Sequence, residues 1–181
     1  MTAKFSVEEY LAIDRSAEVP SEFHDGELFP IETASPRHAR LSVKLSVAIE
    51  PRLGGSTCRL VSNSIRVRVS PTKFLVPDLT VYCGEPVLTD EHQDTLTNPK
   101  VIIEILSPST NDYDYGEKFW LYRRLPSFVE YVLVSQSELC VEVFRLTPDH
   151  RWMLSTYQGL DAVFAIESLG ITIPLSDIYG D

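Results

Sequence analysis

The stretch Lys100-Val101-Ile102-Ile103-Glu104-Ile105-Leu106 decides the fold. Successive side chains of an extended chain point to opposite faces, and here both faces are apolar. Such a run is a strand covered on both sides by other elements, at the centre of a sheet. Its neighbours extend that sheet. Leu75–Tyr82 is a second run rich in valine and leucine, interrupted by Pro77-Asp78, and Val129–Val134 is a third. Upstream, Cys58–Val69 reads as one strand that alternates late on, with Ile65, Val67 and Val69 on one face and Arg66 and Arg68 on the other. The polar stretch 84–99, with Pro86 and Pro99, is expected to loop over the surface.

Helices punctuate these strands. Ser6 and Glu9 form a capping-box pattern ahead of a short helix over 6–14. Ser35-Pro36 supplies an N-cap and a first-turn proline, and Leu41, Leu45, Ala48 and Ile49 then mark an amphipathic helix over 36–52 that Gly54-Gly55 stops. A third helix is expected over 115–125, started by Asp114 as a cap and ended by Pro126. Asp25-Gly26 predicts a hairpin over 23–31. A second hairpin is expected from 138–146 and 151–158 around Thr147-Pro148-Asp149-His150, with a last strand near 170–173. No repeat or linker divides the chain, so residues 1–181 read as a single α/β domain with a mixed sheet.

Composition bounds the function. Surface scaling for 181 residues leaves about 70% of the chain's surface buried, enough for one core. Sixteen Lys and Arg against 26 Asp and Glu give a net charge of −10, which argues against a protein that coats DNA or anionic membranes by bulk charge and leaves room for a local basic cleft. No apolar run is long enough to span a membrane, and no signal peptide is visible. Cys58, Cys83 and Cys140 are an odd, widely spaced set, read as three reduced thiols in a cytoplasmic protein.

Two carboxylates stand in apolar surroundings. Asp78 follows Pro77 within a strand run, and Glu104 sits in the central strand. A carboxylate buried there is costly unless an arginine, hydrogen bonds or a divalent cation compensates it; a buried ion pair or an edge facing water is the alternative for either alone. On adjacent strands about 4.8 Å apart, two such groups repel unless they share a proton or a hard cation, and Mg²⁺ takes such oxygen ligands. In the helix 115–125, Lys118 lies on the inward stripe with Leu121, Tyr122 and Leu125, so its ammonium either snorkels outward or meets the two carboxylates. Glu117, Trp120, Arg123 and Arg124 point elsewhere, and Trp120 is left for a hairpin or a second subunit to cover.

Pro77-Asp78, then Glu104, resembles the PD-(D/E)XK nuclease superfamily. The run from Glu104-Ile105-Leu106-Ser107-Pro108-Ser109-Thr110 through Asp114, Gly116-Glu117-Lys118 and Tyr122 more closely resembles the Uma2 family of restriction-endonuclease-like proteins, also called DUF820. The helix at 5–10, Asp25-Gly26-Glu27 and Ser35-Pro36-Arg37-His38 resemble that family too, so the likeness spans nearly the whole chain. It implies a restriction-endonuclease-like mixed β-sheet core flanked by helices, with N-terminal and C-terminal β-hairpin additions. It also implies a Mg²⁺- or Mn²⁺-dependent endonuclease hydrolysing phosphodiester bonds in DNA. Asp78 and Glu104 would hold the metal, with the Ile105 carbonyl as a further ligand, and Lys118 would orient water or stabilise charge. In the superfamily the lysine stands two residues after the glutamate; here that position is Leu106, and the Uma2 likeness implies that the lysine has moved to Lys118.

Glu27 and His38 are additional candidates, Glu27 as a further carboxylate and His38 from the start of the helix 36–52. Ser107-Pro108-Ser109-Thr110 offers hydroxyls as turn caps or phosphate contacts. A basic rim is expected from Arg37, Arg40, Lys44, Arg66 or Arg68. A homodimer is an expected arrangement, since double-strand cutting needs two sites. Two readings compete: a nuclease-fold interaction or regulatory module that does not cut, and a metal-dependent hydrolase of smaller phosphate esters. Replacing Lys118 is expected to cost catalysis far more than stability.

Overall fold

Ser6 caps α1 (Val7–Ser16), its hydroxyl accepting from the Glu9 N–H while Glu9 accepts from the Ser6 N–H. The computed structural model describes residues 4–62, 65–107 and 111–180. The hairpin β1 (Ser21–His24) and β2 (Glu27–Pro30) turns at Asp25 and Gly26, with φ of 51° and 101°; two positive values suit a two-residue turn. Helix α2 (Pro36–Ile49) follows its Ser35 cap and tightens into a 3₁₀ turn over Glu50–Leu53.

The two strands expected over 58–69 and 75–82 are each broken in two. β3 (Cys58–Ser62), β4 (Arg66–Ser70), β5 (Lys73–Leu75) and β6 (Leu79–Cys83) form one long hairpin. Its outer part pairs β3 with β6 and its tip pairs β4 with β5. Between β5 and β6 lie Val76, Pro77 and Asp78. Proline has no N–H to give to a ladder, so the ribbon divides between two sheets at this point.

The stretch 84–99 is more than a surface loop, because its β7 (Thr95–Leu96) pairs in parallel with β4 and buries Leu96. After β8 (Val101–Leu106) come α3 (Asn111–Tyr113), a π-helical stretch Asp114–Lys118, and α4 (Phe119–Tyr122), wound as one continuous helix. Asp114 thus lies inside the helix and not at its cap. The chain ends with β9 (Glu130–Ser135), β10 (Cys140–Leu146), β11 (Trp152–Gln158), β12 (Val163–Ile166), β13 (Ile171–Pro174) and α5 (Leu175–Tyr179). β12 and α5 escaped the sequence reading.

A six-stranded mixed sheet runs β11-β10-β9-β8-β6-β3, with β8 and β9 parallel. A five-stranded sheet, β2-β1-β5-β4-β7, absorbs the N-terminal hairpin, and β12-β13 pair apart. All six residues of β8 are buried, as a central strand requires. Val101, Ile103 and Ile105 join the core that includes α2, α5 and β12-β13, while Ile102 and Leu106 join a second core with Phe119, Leu121 and Tyr122. Glu104 therefore faces the α3–α4 side. Among the described residues no helix is long and apolar enough to cross a membrane.

The reading of three reduced thiols is corrected. Cys58 and Cys83 are direct cross-strand partners in β3 and β6 and form a disulfide, leaving Cys140 free. Nothing in a 25-residue separation marks the pair; strand pairing creates it.

Candidate active site

The break in the β5–β6 segment sets the site. Freed from the ladder, the Asp78 N–H donates to Glu104 Oε2 at 3.2 Å, and the Ile105 N–H donates to Asp78 Oδ2 at 2.7 Å. Each carboxylate thus accepts from backbone beside the other, and the two are locked as a pair. His38, at the start of α2, puts Nε2 3.1 Å from Asp78. The helix start that carries it is anchored, because the Ser35 hydroxyl that accepts the His38 backbone N–H also donates to Gln136, whose amide donates to the Leu106 carbonyl.

Lys118 approaches from the π-helical stretch. Its Nζ lies 3.1 Å from Glu104, 3.3 Å from Glu22 and 3.4 Å from Asp114, and Tyr122 donates to the same Glu104 oxygen at 3.1 Å. Asp114 and Lys118, four residues apart, share one side of the helix, and the π-helical winding between them is an irregularity frequent at functional sites. This explains why Asp114 does not cap: it is a buried partner of a buried ammonium. Leu106, two residues after Glu104, is core, and the ammonium beside Glu104 is that of Lys118 on the helix.

Asp78, Glu104 and Lys118, the three residues singled out in the sequence, therefore converge, with His38 beside them. Asp78 and His38 side chains, 17% and 16% exposed, form the open edge; Glu104 and Lys118, at 4% and 10%, lie deeper. Glu27 does not join them. It is exposed on β2, opposite His24, and the carboxylate that the hairpin contributes is Glu22. The Asp-Gly turn drew attention to the residue after it, whereas Glu22 gives no signal until β1 is seen to be covered. Pro108, Ser109 and Thr110 lie outside the described residues.

The expected basic rim is corrected at Arg66 and Arg68. Arg66 is buried against Asp14 at 2.6 Å and Asp94 at 3.0 Å. Arg68 lies over the Phe74 ring and donates to the Ser70 and Pro71 carbonyls. Lys44 is bonded to the Gly180 carbonyl, while Arg37 and Arg40 are exposed on α2. Trp120 is 53% exposed, with the Arg124 guanidinium 4.0 Å above its ring.

The electrostatics are lopsided: Glu22, Asp78, Glu104 and Asp114 face one ammonium and the imidazoles of His24 and His38. Burial, then the charges of Asp114, Asp78 and Glu22, push the Glu104 carboxyl well above its ordinary range, against the pull of Lys118. Burial opposes the Lys118 charge too, but Glu104, Glu22 and Asp114 outweigh it and raise its pKa. Burial also acts to raise Glu22, yet Lys118, His24, the Val76 N–H and Tyr113 hold it at about 2. The Asp78 hydrogen bond raises His38 against burial.

This donor set fits a hard cation, which takes carboxylate and carbonyl oxygens. Among the described residues no group of three or more His, Cys, Asp or Glu side chains is arranged to hold a metal; the carboxylate pair has backbone oxygen beside it. A residue's N–H and C=O face the same neighbour in a strand, and the Ile105 N–H is on Asp78; its carbonyl is on that edge too.

Comparison with known proteins places the chain in a family and shows that its fold is shared. The model of the Uma2 family, described as "Putative restriction endonuclease", matches residues 7–176. Two uncharacterized proteins of Synechocystis sp. are similar: slr1290 is 30% identical over 97% of this chain and 92% of its own, and sll1609 is 34% identical over 85% and 88%. A crystal structure described as a putative nuclease belonging to DUF820, from Anabaena variabilis, superposes with a TM-score of 0.77 over 97% of each chain at 17% identity, and so shares the fold.

Proposed function

The chain belongs to the Uma2 family, and on that premise we propose that it is a Mg²⁺- or Mn²⁺-dependent endonuclease that hydrolyses phosphodiester bonds in DNA. One observation carries the reading: Asp78 and Glu104 are locked together by reciprocal backbone bonds, with the Lys118 ammonium 3.1 Å from Glu104. Asp78, Glu104 and the Ile105 carbonyl are the residues that would hold the cation. When bound, a divalent cation supplies polarisation of a phosphoryl oxygen and lowers the pKa of an attacking water.

The chain's own groups do the rest. Lys118 brings a fixed positive charge to the oxygens on which negative charge grows, where preorganised donors are worth most. Tyr122 holds one Glu104 oxygen in place. His38 braces Asp78 from the open edge, where the scissile phosphate would enter. Arg37 and Arg40, beside His38, are the cations available for flanking phosphates. Paired cuts on two strands would call for two copies of the chain.

The test is nicking of supercoiled plasmid in Mg²⁺ or Mn²⁺, wild type against Asp78→Ala. Nicking that EDTA stops and Asp78→Ala abolishes is expected. If the wild type cuts in neither metal, or Asp78→Ala cuts as well, the reading fails. The non-cutting module then stands in its place, favoured by Leu106 in the superfamily's lysine position and by the net charge of −10.

A further inference from the structure

Glu22 has no part in that scheme, yet both of its oxygens are tethered beside Lys118. Its Oε1 accepts from the Val76 N–H at 3.1 Å, and its Oε2 accepts from the Tyr113 hydroxyl at 2.8 Å. Tyr113 is itself held, 3.0 Å from His24 Nε2, and the His24 ring stands edge-on to Phe29 at 5.3 Å. These tethers come from β1, the break after β5, and α3, none of which carries Glu104. Glu22 is therefore held by groups other than Glu104, one of them, the Val76 N–H, in the same break that carries Asp78.

Lys118 lies almost midway between the two glutamates, 3.1 Å from Glu104 and 3.3 Å from Glu22. Without Glu22, a cation that displaced the ammonium from Glu104 would leave that buried charge with Asp114, 3.4 Å away, as its remaining carboxylate among the described residues, which is costly. Glu22, a further tethered carboxylate, lowers that cost. We propose that Glu22 is a positioning residue: it retains the Lys118 ammonium and so leaves Glu104 free to turn its oxygens to a divalent cation. This deepens the proposed function and rests on its reading of Asp78 and Glu104 as ligands.

The experiment titrates the full chain with Mn²⁺ alone by calorimetry, in wild type, Glu22→Gln, Glu22→Asp, Lys118→Met and the Glu22→Gln/Lys118→Met double variant. Steady-state plasmid cleavage is followed alongside. Glu22→Gln should weaken Mn²⁺ binding by roughly 10–100-fold, the range for groups that support a metal ligand, and lower kcat with KM for DNA unchanged. Glu22→Asp, which keeps the charge, should recover part of both. In the Lys118→Met background the Glu22 change should add nothing, because the effect passes through the ammonium. Wild-type Mn²⁺ affinity in Glu22→Gln, or the same loss with and without Lys118, overturns the proposal. Should Glu22→Gln not fold, Tyr113→Phe keeps the charge and removes one tether; a smaller loss of affinity supports the proposal and none overturns it. Mn²⁺ binding that Asp78→Ala abolishes, without cleavage, sinks the nuclease reading and leaves Glu22 decided by the calorimetry. A wild type that binds no Mn²⁺ overturns both.

Discussion

Lys118→Met probes the charge at the centre of the site. The side chain is buried and its Nζ faces Glu104, Glu22 and Asp114 within 3.4 Å. Methionine keeps the stem's volume and removes the cation, so three carboxylates lose a shared counter-charge. Removing one partner of a buried ion pair costs about 3–5 kcal/mol. For a domain of this size each kcal/mol moves Tm by roughly 2–4 °C, so a drop of roughly 6–20 °C is expected in EDTA. The sequence alone led to the opposite expectation, little loss of stability, because it showed two carboxylates near the lysine and not how many depend on it.

Saturating Mg²⁺ should return part of that stability, since a cation bound by folded protein alone stabilises it by mass action. Cleavage should not return with it. Loss of one preorganised electrostatic group costs about 2.7–4 kcal/mol in the transition state, or roughly 10²–10³ in rate. The assay is a melt and single-turnover cleavage on one preparation, with and without Mg²⁺. An unchanged Tm in EDTA would show that the ammonium does not neutralise these carboxylates. Cleavage within a few-fold of wild type would make Lys118 structural and refute its place in the reaction.

Acid should destabilise the protein through Glu22. Its folded pKa of about 2 lies below the ordinary 4.5, so its contribution is complete above 4.5 and fades as pH falls toward 2. That amounts to about 3 kcal/mol, and urea melts between pH 6 and 2 should flatten in Glu22→Gln. Arg66→Ala should cost about 3–5 kcal/mol by stranding buried Asp14, while the Mn²⁺ affinity stays at the wild-type value; a tenfold change there would return Arg66 to the site. Reduction of Cys58–Cys83 opens a loop of 25 residues and should cost about 3 kcal/mol on the chain-entropy model. Unfolded, unreduced protein should take up one alkylating group, at Cys140, and three after reduction; three before reduction would refute the disulfide.

What the sequence disclosed and what it hid divide along one physical line. β8 was legible because its apolar periodicity is a local property, and so was the inward stripe that carries Lys118. Glu104 was legible as a charge where that pattern forbids one. Glu22, the Arg66 ion pair, the disulfide and β7 were not, because each is made by contact between segments far apart in the chain. Arg66 alternates with Val67 as an exposed strand residue would, and only the approach of α1 with Asp14 buries it.

Pro77 lies across that line. Read locally, it is a blemish in a valine-rich strand and an argument against one. In the fold, it ends the β5 ladder and leaves the Asp78 N–H and carboxylate facing β8, where they meet Glu104 Oε2 and the Ile105 N–H. An alanine there would restore a backbone donor and widen the conformations open to residue 76. β5 and β6 could then run on as one strand, and since side chains alternate along a strand, the added pairing would decide which face Asp78 takes. Pro77→Ala should therefore weaken Mn²⁺ binding while leaving Tm within a few degrees of wild type. Equal affinity in the two proteins would show that the Asp78–Glu104 contacts, and not the break, set the geometry.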